Sequence, residues 1–333
     1  MFERILNFLR RAPYIGRAVN YFVPVYEQRI SGFLERCREF SANERYNANK
    51  ELLLNEFEVL VREFQGVYDY KRDDHYFILH SPLILFCAMG GNQLNYADFF
   101  NVLKRNNFDF NITFPDDSEI TSGNNALINA IAIAENYSAL ALLNFVTRER
   151  IDFNINCQDA VLQNTACILA IAKGYKDKSG DGRNLTVSNL ELARKMIEDC
   201  AADVNLKNRF GYTALDVAVM RRDDDFIDLI LNCRSLQKDT IENALDILSD
   251  PNSQGEDFLF DKSVNMLYKT LFFNGGGDVV IKPLEKDLFT VEKTEELKRK
   301  LCDRLSKYDQ KPGVENFSAS RVDQKGSLLG VQI

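Results

Sequence analysis

Tryptophan is absent from the 333 residues, and histidine occurs only twice. With 24 Phe present, Phe must carry much of the core volume. No apolar run approaches the roughly 20 residues that a membrane-spanning helix needs. Positive charge is in deficit: 49 acidic residues against 41 basic ones leave a net charge of −8. That balance argues against general nucleic-acid binding, whose usual footprint is a basic patch. The seven Cys contain no Cys-x-x-Cys pair and no even framework. Cys87, Cys157, Cys167, Cys200 and Cys233 stand at apolar positions, where Cys acts as a small hydrophobe. This usage points to a reducing, cytosolic compartment. The four Asn-x-Ser/Thr sequons, at Asn111, Asn136, Asn184 and Asn316, then carry no glycan.

The chemistry-bearing residues are equally sparse. His75 and His80 lie beside Asp73 and Asp74, but no Cys or Glu flanks them at ligand spacing. A Cys–His hydrolase would need a nucleophile such as Cys37 brought to one of these imidazoles, and nothing in the sequence arranges that. Asp177-Lys178-Ser179-Gly180-Asp181-Gly182 begins like a calcium loop. Its twelfth position is Ser188, where such a loop needs a bidentate Glu, so a solvated insertion loop is the better reading. Gly275-Gly276-Gly277 has no Lys-Ser/Thr follower and is no phosphate loop. The sequence therefore assigns no catalytic residue, no metal ligand and no cofactor.

What the chain does have is one plan used four times. Thr213-Ala214-Leu215-Asp216-Val217-Ala218 opens a short helix, and the Thr213 hydroxyl suits the free N–H groups of its first turn. Ser81-Pro82-Leu83-Ile84-Leu85-Phe86, Asn125-Ala126-Leu127-Ile128-Asn129-Ala130 and Thr165-Ala166-Cys167-Ile168-Leu169-Ala170 share that grammar. Pro82 stands at the first helical position, where its missing N–H costs nothing. Each opener leads to a second helix with apolar residues at i, i+3, i+4 and i+7. The sets are Tyr96/Phe99/Phe100/Leu103, Ala139/Leu142/Leu143/Val146, Ala193/Met196/Ile197/Cys200 and Phe226/Leu229/Ile230/Cys233. Each set predicts one buried face. Three exits follow, Asp109-Phe110-Asn111, Asn154-Ile155-Asn156 and Asp203-Val204-Asn205. In each an apolar anchor precedes an Asn, a residue type suited to tight turns.

This plan resembles the ankyrin repeat, a turn plus two antiparallel helices with a T-P-L-H-x-A signature. Gly211-Tyr212-Thr213-Ala214-Leu215-Asp216-Val217-Ala218, preceded by Ala202-Asp203-Val204-Asn205, is the best match. Two departures stand out. Ile84, Ile128, Ile168 and Asp216 occupy the place of the signature His. The openers lie 44, 40 and 48 residues apart, against about 33 in the family, which implies insertions of roughly 7 to 15 residues per copy. The resemblance implies an all-α, ankyrin-repeat-like helical solenoid flanked by N- and C-terminal helical caps.

Residues 1–72 are the N-terminal cap region. Its first 26 residues are basic, with Arg4, Arg10, Arg11 and Arg17 against Glu3. Phe2, Ile5, Leu6 and Leu9 share a helical face, which suits either a membrane surface or packing against the first repeat. Two helices are predicted at about residues 30–40 and 49–68. Residues 73–248 hold about four repeats, with a degenerate fifth opened near Asp239 and Glu242 at capping-box spacing. Residues 249–308 form a C-terminal helical region. It includes a helix at 261–273 and a charged one carrying Leu297, Leu301 and Leu305 on one side. Glu295/Arg299 and Glu296/Lys300 are spaced to pair along that charged helix. Residues 309–333 are polar and rich in Gly and Ser, and disorder is expected there.

By the resemblance, function lies in a concave groove of turn tips and first-helix faces that binds a protein partner. The candidate contact residues are Arg209, Phe210, Tyr212, Met220, Arg221 and Arg222 in the fourth copy, Lys173 in the third and Met89 in the first. Arg and Tyr are common interface anchors. The expected protein is a monomeric, non-enzymatic adaptor or sequestering module. A second reading is a bacterial effector secreted into the host cytosol, with a type IV signal in the tail that ends Leu328-Leu329-Gly330-Val331-Gln332-Ile333. A third is an enzyme whose catalytic part lies in residues 1–72 or 236–308, with the repeats used for targeting.

Overall fold

The computed structural model describes residues 25, 26, 28–37, 39, 46–71, 81–89, 95–113, 123–132, 135–173, 187–249 and 290–309. Among them all extended regular structure is helical, and the one β contact is an isolated bridge between Gln158 and Thr165. Six features expected from the sequence lie outside these residues: the basic stretch before residue 25, the two His, the 177–182 loop, the helix at 261–273, the triple glycine at 275–277, and the tail after Asp309.

Residues 28–37 are helical and precede α1 (Tyr46–Lys71). Then come α2 (Pro82–Met89), α3 (Tyr96–Arg105), α4 (Ala126–Ala132) and α5 (Asn136–Glu149). Next is α6 (Ala166–Lys173), followed by α7 (Asn189–Arg194), which runs on as a π-helical turn, Lys195–Asp199. The set closes with α8 (Ala214–Met220), α9 (Asp224–Leu231), α10 (Lys238–Ser249) and α11 (Val291–Asp309).

Local chemistry explains where the short helices begin. Thr213 and Asp216 form a complete capping box: Asp216 N–H donates to Thr213 Oγ1 (3.3 Å) and Thr213 N–H donates to Asp216 Oδ2 (2.7 Å). Thr165 Oγ1 accepts from Ile168 N–H (3.2 Å), and Asn125 Oδ1 accepts from Ile128 N–H (3.0 Å). The first opener differs. Ser81 Oγ is buried with no hydrogen-bond partner among the described residues, so Pro82 alone sets that start. At α10 the expected cap shifts as well. The helix begins at Lys238, so Asp239 lies inside its first turn. The N–H of Gln237 is instead taken by Asn205 Oδ1 of the preceding copy (2.8 Å).

The helices pack as two rows. Along one row α2 lies on α4, α4 on α6, α6 on α8, and α8 on α10. Along the other, α1 lies on α3, α3 on α5, α5 on α7, and α7 on α9. Rungs join them, α4 with α5, α6 with α7, α8 with α9, and α10 with α11. Every second-helix face predicted from spacing is buried except at Cys200 and Cys233, which are half-buried. The first-helix row goes further: every residue of α4 and of α8 is buried, Asn129 and Asp216 included. Small residues allow that closeness, with Ala126, Ala130, Ala166, Ala170, Ala214 and Ala218 at the contacts.

Phe fills the space that Trp would have occupied. Phe33, Phe57, Phe64, Phe86, Phe99, Phe100, Phe145 and Phe226 are fully buried. Ring centroids lie 5.5 Å apart for Phe33–Phe57, 5.3 Å for Phe57–Phe99, 4.3 Å for Phe86–Phe99 and 5.4 Å for Phe100–Phe145. This cluster ties α1 and the 28–37 helix to α2, α3 and α5. Each buried Phe stabilises the assembly by about 1.5–3 kcal/mol.

Candidate functional site

Two ladders of side-chain amides run from copy to copy, and they position the turns. The first uses the exit asparagines. Asn111 Nδ2 donates to Asp152 O (2.8 Å), and its Oδ1 accepts from Asn154 N–H (2.6 Å). Asn156 Oδ1 accepts from Asp203 N–H (2.8 Å). Asn205 Nδ2 donates to Ser235 O (2.8 Å), and its Oδ1 accepts from Gln237 N–H (2.8 Å) and Thr240 Oγ1 (2.9 Å). The reason for Asn at these exits therefore differs from the one inferred from turn preference. None of the three adopts positive φ; that geometry falls earlier, on Asn107, Arg150 and Ala201. At Asn111 and Asn205 the amide donates and accepts at once, and so clamps the next copy's backbone, whereas Asn156 accepts one such bond.

The second ladder joins the turn tips. Asp159 Oδ1 accepts from Leu162 N–H (2.5 Å), and its Oδ2 accepts from Asn164 N–H (3.0 Å), which rounds off the third turn. Asn208 does the same in the fourth, where its Oδ1 accepts from Phe210 N–H and Tyr212 N–H, both at 3.0 Å. The two turns then bond to each other. Asn208 Nδ2 donates to Asn164 Oδ1 (3.1 Å), Arg209 N–H to Leu162 O (2.7 Å), and Gln158 Nε2 to Lys207 O (3.0 Å). The second turn joins through Gly123, which has φ +73°; a Cβ there would stand 2.9 Å from Ala160 N. Gly211, at φ +83°, has open space around its missing Cβ, so only its backbone angle calls for glycine.

The eight candidate contact residues divide by placement. Arg209 is exposed on the fourth tip, and one guanidinium N–H reaches Val161 O (3.3 Å). Phe210 beside it is 54% exposed, one of the few large apolar side chains that face solvent among the described residues. Tyr212 is half-buried under the tip. Met220 and Arg222 are buried, with Arg222 in the left-handed region at φ 56°. Lys173 and Arg221 are half-buried at the ends of α6 and α8, and each caps the previous first helix. Lys173 Nζ donates to Ala132 O, and Arg221 Nη1 donates to Ala172 O (2.8 Å). They satisfy carbonyls that a short buried helix leaves without partners. Met89 ends α2, and its side chain lies outside the described residues. The structure thus brings Arg209, Phe210 and Tyr212 together on one tip and turns Lys173, Arg221, Met220 and Arg222 inward.

The same inward turn governs the titratable groups. Burial pushes the Cys37 thiol up to about 12, with Glu56 adding and Arg36 opposing. A thiol so held is protonated and a poor nucleophile at neutral pH. Burial holds the Lys173 ammonium down to about 7 and raises the Asp216 carboxyl despite its bonds to Thr213 and Asn243. Among the described residues no group of three or more His, Cys, Asp or Glu is placed to hold a metal ion. Among them, too, no helix is long and apolar enough to cross a membrane.

These features define a class: among the described residues, paired helices whose neighbouring turns are bonded to one another. No protein-family model matches the chain, and no curated protein matches it significantly.

Proposed function

We propose that this chain is a non-enzymatic protein–protein interaction module, built as a divergent ankyrin-like solenoid, that holds a partner protein on its ledge of turn tips. One observation carries the reading. The third and fourth turns are bonded side chain to side chain and backbone to backbone, and the tip they support displays Arg209 and a half-exposed Phe210. A surface fixed before binding loses little conformational freedom when a partner docks. The expected groove floor is a weaker candidate, because the first-helix row is buried throughout α4 and α8. The contact surface therefore centres on the tips.

The test is affinity capture from eukaryotic cytosol with the full chain and with an Arg209→Ala/Phe210→Ala variant, read by mass spectrometry. A partner held by the wild type should be lost by the variant at an unchanged melting temperature. A partner retained in full by the variant would move the interface off the tips.

A further inference from the structure

The fourth tip has a charge character opposite to that of the chain around it. Lys207 and Arg209 are both exposed, and Phe210 stands next to them. Across the third and fourth turns, residues 157–165 and 206–213, the one acidic residue is Asp159. Its carboxylate is 6% exposed and occupied by Leu162 N–H and Asn164 N–H. Two cations and an aromatic ring therefore project from a protein of net charge −8; the same two turns hold no exposed carboxylate, and the acidic group that faces Lys207 is the buried Asp216 of α8. Both cations are backed by the ladder, since Lys207 O accepts from Gln158 Nε2 and Arg209 N–H donates to Leu162 O.

We infer that the fourth tip recognises an acidic segment of a partner protein that carries a bulky apolar side chain. Lys207 and Arg209 receive the carboxylates, and Phe210 supplies the apolar contact. This deepens the interaction reading and rests on it. Charge complementarity selects this occupant: the overall negative field repels acidic chains everywhere except where a local basic cluster meets them, so the tip provides orientation as well as affinity. A nucleic acid would need a broader basic surface than two side chains provide.

The experiment uses the full chain and a fluorescent Glu-rich peptide with a central Leu-Phe pair, read by anisotropy at low and at high salt. Controls are the same peptide with Gln for Glu, and with Lys for Glu. The acidic peptide should bind, weaken as salt rises, and exceed both controls by roughly tenfold. Lys207→Glu/Arg209→Glu should abolish that binding and transfer preference to the Lys-rich peptide, and Phe210→Ser should weaken it without changing the charge preference. Circular dichroism and the melting temperature confirm that the variants remain folded. Equal binding of all three peptides, or an acidic preference that survives the charge reversal, overturns the inference. If a captured partner depends on Phe210 but not on Lys207 and Arg209, the interaction reading stands and the acidic assignment fails.

Discussion

Replacing Asn205 by Ala tests whether side-chain amides hold neighbouring copies together. Asn205 makes three bonds to the next copy: its Nδ2 to Ser235 O, and its Oδ1 from Gln237 N–H and from Thr240 Oγ1. Ser235 and Gln237 are exposed, so water replaces the lost partner and each bond is worth about 0.5 kcal/mol net. Thr240 is 3% exposed, so its orphaned hydroxyl costs about 1–2 kcal/mol. The total is about 2–3 kcal/mol. Urea unfolding followed by both circular dichroism and Tyr fluorescence should show the midpoint falling accordingly. Asn111 makes two such bonds and Asn156 one, so the ranking should be Asn205→Ala, then Asn111→Ala, then Asn156→Ala. Among the described residues the Asn232 side chain bonds to Asp228 O alone, within its own helix segment, so Asn232→Ala should shift stability by less than about 0.5 kcal/mol. If Asn205→Ala proves as mild as Asn232→Ala, the clamp has no energetic role and the copies are held by apolar burial alone.

Further substitutions probe the other devices. Thr213→Ala removes a cap and one partner of the buried Asp216 carboxylate, the Thr213 hydroxyl, so a loss of about 2 kcal/mol is expected by denaturant titration. Gly123→Ala should cost more than Gly211→Ala, because both strain a left-handed backbone but only the former drives a Cβ against Ala160 N; melting temperatures decide it. Lys173 predicts a pH effect. Its ammonium is held down to about 7 in the folded chain, against about 10.4 unfolded, so between those values the unfolded chain carries a proton the folded one has released. Stability therefore rises with pH across that window, by at most about 1.4 kcal/mol per unit, and less because the residue is only partly buried. Urea midpoints at pH 7 and 9 should diverge between the wild type and Lys173→Met; parallel shifts would count against this account. Leu301→Ala should cost about 2–4 kcal/mol and loosen α11, whereas Lys300→Ala should cost under about 1 kcal/mol and matter less as salt rises.

The sequence was most informative where a contact is local. Thr165 and Thr213 cap helices that start one residue later, and the four i, i+3, i+4, i+7 sets bury their faces, because helix geometry alone decides both. Where a side chain works across copies, residue type misleads. Asn111, Asn156 and Asn205 resemble turn formers but clamp backbone some 30 to 50 residues away. Lys173 and Arg221 have the composition of interface anchors, yet their heads point back to carbonyls of the preceding first helix. One sign was present in the sequence: both stand eight residues after a cap residue, at Thr165 and Thr213, where a helix of seven or eight residues runs out of donors. The expected pairing of Glu296 with Lys300 failed for the same reason. Lys300 reaches Asp224 (3.0 Å) and Asp228 (3.2 Å) on α9, and Glu296 takes Lys293 (3.3 Å).

Helix α11 shows which force closes such distant contacts. It is the rung partner of α10, although about 40 residues separate them in sequence. Three residues separate α4 from α5 and α8 from α9, and 15 separate α6 from α7; a tenfold increase in the length of a connection costs about 2 kcal/mol in closure entropy. The ion pairs of Lys293 and Lys300 with Asp224 are partly exposed and worth about 1 kcal/mol at most together, which does not cover that cost. Leu297 and Leu301 are fully buried and contribute about 1.5–3 kcal/mol each. Half-buried Leu305 and Tyr308, whose hydroxyl donates to Leu236 O, add to them. Apolar burial therefore docks α11, and the charges set its register. The same division applies at the fourth tip, where the buried row supplies stability and the proposed partner contacts, Lys207, Arg209 and Phe210, are exposed.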